Sequence, residues 1–392
     1  MRIVIEALGI NRPGGGRTAS MNLLKPLLGL DDRNQYLILL SAPEPELEGN
    51  PRATQHIIPV RSRFLSRVYL QAVLPTLCRR FRADVVHFLK NQAAFTTGTR
   101  SVVTVYDLTT LRHPEAYPLV DVWYWRHVLP RQYRRADRLV AISSATAADL
   151  KSWYQLPQSR IGVIHCGYDP AYRVAERQEV VQALRTYQLE GTAYFLHVGN
   201  LSLKKNLGVA VEAVLDFRNR TGSPAVLALA GQAYSKGHDT RFFSLLDRAE
   251  AASAVRLLGH VPQPQLQALY SGATAFVFPS LHEGFGLAPL EAMACGAPVI
   301  AHGGAAVREI VGDAGLLIDS ASAVDQWSRA LETVAGDPTL QQRMRAAGLL
   351  RATHFTGERA VRQTLALYDE LAQASCTSAD ATPRHAPASS SR

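Results

Sequence analysis

The chain is poor in cysteine. Its four cysteines, Cys78, Cys166, Cys295 and Cys376, lie far apart in 392 residues. That spacing excludes a zinc pattern and the disulfide framework of a small secreted domain. A reducing, cytoplasmic setting is the simplest expectation. No run of about 18 apolar residues occurs, so no transmembrane helix is expected. The opening Met1-Arg2-Ile3-Val4-Ile5-Glu6-Ala7-Leu8 reads as a strand, without a signal peptide's long apolar core or cleavage site. No Asp-x-Asp motif stands at a strand end in the first half. His87, His113, His165, His282 and His302 show no metal-like pairing and read as core or solvated histidines. No metal or other cofactor is therefore expected.

Acidic residues are also in short supply. Lys and Arg number 42 against 33 Asp and Glu, a net charge of +9. Residues 1–170 hold 22 basic and 13 acidic residues, and residues 171–392 hold 20 of each. The whole excess belongs to the first half. It is concentrated in Arg61–Arg82 and in Trp123–Arg138, where arginines alternate with aromatic and aliphatic residues. Each stretch fits either a membrane-surface contact or a helix packed on its own sheet with solvated arginines.

What is present is a regular alternation of short β-rich runs with amphipathic segments. In the first half the runs are Arg2–Glu6, Tyr36–Leu40, Val85–Phe88, Val102–Tyr106, Leu139–Ile142 and Ile161–Ile164. In the second they are Tyr194–Gly199, Ala225–Ala230, Val255–Leu258, Ala275–Pro279, Pro298–Ala301 and Gly315–Ile318. Helical patterns such as Thr18–Leu28 and Ala145–Trp153 lie between them. This predicts an α/β protein of two Rossmann-like, doubly wound parallel-sheet domains. The boundaries expected are 1–170, a linker at 171–189, a second domain at 190–355, a helix at 356–374 and a disordered Ala/Ser/Thr/Pro tail at 375–392.

The strongest motif is Phe278-Pro279-Ser280-Leu281-His282-Glu283-Gly284-Phe285-Gly286-Leu287, with Glu291 and Gly296 following. A strand ends at Pro279, a glycine loop follows, and a helix starts near Leu287. Backbone N–H groups at such a helix start attract anions. The carboxyl edge of an open α/β sheet is where ligands bind. Glu283 and Glu291 are both placed to accept hydroxyl hydrogen bonds from one elongated ligand. The alternatives are a helix-cap role for Glu283 and a solvated position for Glu291. Lys204 and Lys205 follow Gly199 and Asn200, and are either anion ligands or solvated loop residues. Gly14, Gly15 and Gly16 follow the first strand and form either a plain turn or a loop that approaches a phosphate. They do not make a G-x-G-x-x-G fingerprint.

The Glu283-x7-Glu291 segment closely resembles the family-4 retaining glycosyltransferases of the GT-B fold. Val198–Leu207, Val255–Pro262, Leu269–Ser280 and Val307–Leu316 are similar to other blocks of that family. Val103–Thr109 and Arg135–Ser143 resemble its mannosyl- and rhamnosyltransferase subgroup of polysaccharide assembly. The resemblance runs from Arg2 to about Leu371. It implies an acceptor-side first domain, a nucleotide-sugar second domain and a last helix that crosses back to the first. It further implies Glu283 on the donor-sugar hydroxyls and Glu291 on the ribose. Gly284, Phe285, Gly286 and Leu287 would line sugar and phosphates, with Lys205 neutralising the diphosphate. Gly15, Gly16, Gly199, Asn200 and Lys204 would complete the donor site, and Arg17 would add charge beside the glycine loop. Tyr106 stands on the acceptor side, where the family often has His. Asn200 stands where many members have Arg, a charge that Lys204 would supply.

The expected reaction is hexose transfer with retention, with GDP-mannose first as donor and a UDP- or dTDP-hexose next. The acceptor would be a glycan or a lipid diphosphate in cell-surface polysaccharide synthesis. The alternatives are a catalytically impaired scaffold and a GT-B sugar-nucleotide epimerase. Nucleic acid is not an expected partner, since no recognised module is present. The basic half is expected to face an anionic membrane or a lipid-diphosphate acceptor, which would make the protein peripheral on the inner face of the cytoplasmic membrane.

Overall fold

The computed structural model describes all residues except 13, 60–61, 233–239, 249–252 and 381–392. The first half carries β1 (Arg2–Glu6), β2 (Gln35–Leu40), β3 (Ala53–Ile57), β4 (Val85–Phe88), β5 (Arg100–Val105), β6 (Arg138–Ala141) and β7 (Ile161–Val163). They form one parallel sheet in the order β3-β2-β1-β4-β5-β6-β7. The second half carries β8 (Tyr194–Val198), β9 (Val226–Ala230), β10 (Val255–Gly259), β11 (Ala275–Phe278), β12 (Val299–His302) and β13 (Leu316–Ile318). These form a second parallel sheet, β10-β9-β8-β11-β12-β13.

Strands such as Ile3-Val4-Ile5 and Val226-Leu227-Ala228 are buried on both faces. Helices cover both sides of a parallel sheet, so apolar runs are required rather than alternation. β3 is absent from the expected set because its Ala-Thr-Gln-His-Ile run lies half-exposed at a sheet edge and carries no such run. In each sheet the strand order reverses once, between β1 and β4 and between β8 and β11. Crevices open at such switch points, at the carboxyl ends of the strands.

Two chain crossings join the halves side by side. Tyr168 bridges to Thr356, and its amide donates to the Phe355 carbonyl at 3.3 Å. A Cβ on Gly167 would lie 2.3 Å from the Gly357 nitrogen, so only glycine allows the two crossings to touch. The last helix, Gly357–Asp380, then lies on the first sheet. Its Val361, Tyr368 and Leu371 share a core with Ile3, Ile5, Met21 and Leu24. This helix continues six residues into the stretch read as a disordered tail, and 381–392 fall outside the described residues. His87 is a core histidine, bonded to Tyr368 at 2.6 Å and to Thr104 at 2.7 Å. Burial pushes it down to about 3.

The first helix starts at Gly15, not at Thr18, because the Arg17 and Thr18 amides already bond to the Gly14 carbonyl. The basic helix Arg63–Phe81 divides along its length. Leu70, Leu74 and Cys78 enter the core, whereas Phe64, Leu65 and Val68 stay exposed. Among the described residues, no helix is long and apolar enough to cross a membrane.

Candidate active site

The β8–β11 switch point gathers most of the residues expected on the donor side, with Gly15 and Gly16 at the start of the helix after β1. Gly199 follows β8 with φ +152°, and Gly231 follows β9 with the same φ. A Cβ on Gly231 would sit 1.9 Å from the Gly199 carbonyl oxygen, so these two strand ends close up only as glycines. Beyond Gly199, Leu203–Lys205 forms one 3-10 turn. Asn206 pins that turn, donating to the carbonyls of Ala321 at 2.7 Å and Pro279 at 3.3 Å. The Leu281 amide bonds to the Lys204 carbonyl at 3.0 Å. The lysine turn and the glutamate loop are thereby tied together.

This framework places Lys205 Nζ 2.7 Å and Lys204 Nζ 3.4 Å from the Glu283 carboxylate. The Glu283 side chain is only 14% exposed, and that of Lys205 17%. Lys205 also lies over the Phe278 ring, 4.7 Å from its centroid. Burial alone would raise the Glu283 pKa, but Lys205 and Lys204 together bring it down to about 2. The lysines are thus ion-paired rather than solvated. The cap of the next helix is Gly286, with φ +117°, so Glu283 is not its cap. Asn200 is exposed at the end of β8.

The helix Leu287–Ala294 carries Glu291 on its buried side, 6% exposed. A solvated position is excluded. Its partner is the Tyr270 hydroxyl at 3.5 Å, the long end of hydrogen-bond range. Burial pushes Glu291 up to about 8; the Tyr270 hydrogen bond lowers it and the Asp169 charge raises it. Among the described residues, Glu283 and Glu291 share no hydrogen-bond or ion-pair partner, and the helix N-terminus lies between them.

Gly284 is one point where the halves meet. A Cβ there would lie 2.1 Å from the Tyr106 carbonyl oxygen. Ser143 Oγ donates to the Gly284 carbonyl at 2.7 Å. Phe285 is buried against His165 and Phe355, and Leu287 is half-buried at the helix start. On the first-half side, the Tyr106 hydroxyl meets Ser20 Oγ at 3.1 Å, and Ser20 donates to the Gly16 carbonyl at 2.8 Å. The glycine-led helix, Tyr106 and Gly284 are therefore one connected series. Arg17 does not contribute charge to the cleft. It is held by the carboxylates of Glu44 and Glu46 and by the Ile10 carbonyl.

Sequence reasoning missed three groups. Glu6 ends β1, is 1% exposed, leaves Oε2 without a hydrogen-bond partner among the described residues and is pushed up to about 8 by burial. Lys90 follows β4 with φ +61°, and its Nζ donates to the Gly9 carbonyl at 2.8 Å. A Cβ on Gly16 would meet Lys90 Cε at 2.6 Å, so the lysine chain would have to shift to admit one. Both residues sit at the β1–β4 switch point, a location that strand order would have marked. The third group joins the halves. Glu309 accepts from the Ser144 amide at 2.8 Å and lies 2.6 Å from His165 Nε2. No local motif announces this pairing, since 165 residues separate Glu309 from Ser144. Among the described residues, no group of three His, Cys, Asp or Glu side chains could hold a metal ion.

Comparison with known proteins extends this geometry. The family model for glycosyl transferases group 1 matches residues 185–351, and that for glycosyltransferase family 4 matches residues 13–172. Over 274 residues the chain is 30% identical to the O-antigen chain mannosyltransferase B of Escherichia coli, covering 69% of this chain and 71% of that one. It is 26% identical over 286 residues to the serotype-specific mannosyltransferase WbdA of Escherichia coli, covering 70% of this chain but 34% of that protein. The Anabaena HepE protein, solved in complex with UDP, shares the fold with a TM-score of 0.75 at 17% identity, over 94% of this chain and all of that one. The two facing parallel sheets are a GT-B fold, the family models cover both of them, and the chain is a glycosyltransferase of family 4.

Proposed function

We propose that the protein transfers a hexose from a nucleotide sugar to a hydroxyl of a glycan or lipid-linked acceptor, with retention, in cell-surface polysaccharide synthesis. Mannose from GDP-mannose is the first candidate, in keeping with the mannosyltransferases it is similar to. A UDP- or dTDP-hexose is next, and the UDP-bound HepE structure favours keeping UDP in view. The observation that carries the reading is the Lys204–Lys205–Glu283 group, which sits at a switch point and against the other domain.

In this reading the acceptor oxygen attacks the anomeric carbon on the face that the diphosphate leaves. The carbon–phosphate-oxygen bond breaks as the new glycosidic bond forms, and the departing phosphate takes the acceptor proton. Negative charge grows on the diphosphate. Lys205, Lys204 and the amides at the start of the Leu287–Ala294 helix stabilise it, which is transition-state electrostatics rather than nucleophilic catalysis. Gly15, Gly16 and Gly199 leave backbone room for the phosphates, and Asn200 borders them. Glu283 is ionised at neutral pH and accepts from the sugar hydroxyls, while Glu291 receives the ribose. Tyr106 borders the acceptor. No metal or other cofactor is needed, because lysines and helix dipole carry the compensating charge. The protein works at the inner face of the cytoplasmic membrane, its basic half toward anionic lipid.

A thermal-shift series with GDP, UDP and dTDP tests the donor side, since a bound ligand raises the melting temperature. GDP should give the largest shift. Absence of any shift with all three would overturn the reading.

A further inference from the structure

Glu309 belongs to the second half, on the helix Ala305–Val311, but its carboxylate reaches into the first. Its two oxygens accept from the Ser144 amide at 2.9 and 2.8 Å, and one of them accepts from the Ser144 hydroxyl at 2.8 Å. The Ala145 amide lies 3.4 Å away. These amides open the first-half helix Ser144–Tyr154, and first-turn amides have no carbonyl partner inside their own helix. A carboxylate is the favoured group at such a positive helix end. His165 Nε2 completes the set at 2.6 Å. The Glu309 side chain is 20% exposed. Burial alone would raise its carboxyl, but His165 and Ser144 bring it down to about 2, so it is ionised at neutral pH.

The same helix end holds the glutamate loop. Ser143 Oγ accepts from the Thr146 amide at 3.0 Å and donates to the Gly284 carbonyl at 2.7 Å. Thr146 Oγ1 lies 3.3 Å from that carbonyl and 3.3 Å from the Tyr106 carbonyl. Gly284 directly follows Glu283. One helix end of the first half therefore grips the second half at two points, Glu309 and the loop that carries Glu283. Both points are braced from behind. Arg351 donates to the carbonyls of Glu309 at 2.6 Å and Ile310 at 2.9 Å, and its guanidinium lies 5.1 Å from the centre of the Phe355 ring. His165 meets Phe355 edge-on at 5.3 Å and lies 6.1 Å from Phe285, the residue after Gly284.

We propose that Glu309 is a positioning residue for sugar transfer: as a carboxylate cap lent by one half to a helix of the other, it fixes how the halves meet and so where Glu283 stands before the acceptor side. The inference rests on the proposed transfer reaction and adds to it a residue that acts through the loop rather than on the substrate. Charge-assisted hydrogen bonds are short and directional. Four of them converge on one carboxylate here, three from Ser144 and one from His165, so a small shift of the halves breaks them together. The steric contact of Gly284 with Tyr106 limits how near the halves come, whereas the Glu309 cap draws them together.

The test combines kinetics with hydrogen–deuterium exchange on the full chain. Glu309→Ala should lower kcat about 10²-fold, the cost of a misplacement of about 1 Å. Glu309→Gln keeps one accepting oxygen and should lower kcat about 10-fold. The melting shift with nucleoside diphosphate should be retained in both, because Lys204, Lys205 and Glu291 are untouched. Exchange without ligand gives a reading that a local helix cap would not. In Glu309→Ala, protection should fall in peptides covering 143–147 and also in those covering 283–287. Loss confined to 143–147, or unchanged kcat in both variants, would overturn the inference. Glu309→Gln, which is isosteric and milder, carries the same readings if Glu309→Ala does not fold. An unaltered protein that transfers no sugar sinks the proposed reaction, and the exchange of the two segments then still decides whether Glu309 holds the loop.

Discussion

Glu283 and Glu291 lie eight residues apart, on either side of one helix N-terminus, and both are withdrawn from water. Their carboxyls nevertheless move in opposite directions, to about 2 and to about 8. The difference lies in their partners. Glu283 has two lysine ammonium groups within 3.4 Å. Glu291 has one distant tyrosine hydroxyl. Burial penalises a charge, and a nearby opposite charge reverses the penalty. One region is therefore charged at neutral pH, and the other is largely neutral.

The largest expected effect comes from breaking the charged region. Glu283→Gln should lower sugar transfer about 10²–10³-fold while nucleoside diphosphate still binds, as removal of a transition-state contact does. Steady-state kinetics beside a thermal-shift titration would check this, and unchanged turnover would remove Glu283 from the site. Lys205→Ala should lower kcat by a similar or slightly smaller factor, about 10²-fold, because Lys204 remains.

The pH dependence of stability sharpens the contrast. The folded pKa of Glu291 is raised, so its burial costs nothing below pH 4.5, where both states hold the proton. As pH rises from 4.5 to about 8, only the unfolded state loses the proton and stability falls. Glu291→Gln should therefore raise the melting temperature of the ligand-free protein at pH 8 and leave it unchanged near pH 4.5. The gain should be on the order of 1–3 kcal/mol, the scale of one buried polar group. The same variant should weaken nucleotide binding. Glu283 has the opposite sign. Its contribution is present above pH 4.5 and lost as pH falls toward 2, so Glu283→Gln should flatten the acid limb instead. A loss of about 1–3 kcal/mol is expected for Gly284→Ala, whose Cβ would meet the Tyr106 backbone and push the loop off it. Calorimetry would show whether the two halves then melt apart.

Much of the fold was legible because buried parallel strands demand apolar runs, and those runs stand in the chain as Ile3-Val4-Ile5, Val85-Val86 or Ala275-Phe276-Val277-Phe278. β3 was not legible, since an edge strand needs no such run. The helix start at Gly15 was hidden by glycine's weak helix preference. The glycine and glutamate motif marked one half of the candidate site through its spacing. Arg17 was misread as a cleft charge because nothing local announces Glu44 and Glu46 as its partners. Glu6, Lys90 and Glu309 were invisible for the same reason.

The sequence by itself determined the strand–helix alternation, the excess of positive charge in the first half and the family of the motif. Each is a local or additive property of the chain. Only the tertiary structure decided which charges have partners. Adjacency of β8 and β11 brings Lys205 to Glu283 across 78 residues. Contact between the halves seats Gly284 on Tyr106. The packing of Arg126, Arg131 and Arg134 around one cavity leaves three positive charges without an acidic partner among the described residues. Pairing energies fall off within a few ångströms, and only the fold sets distances at that scale.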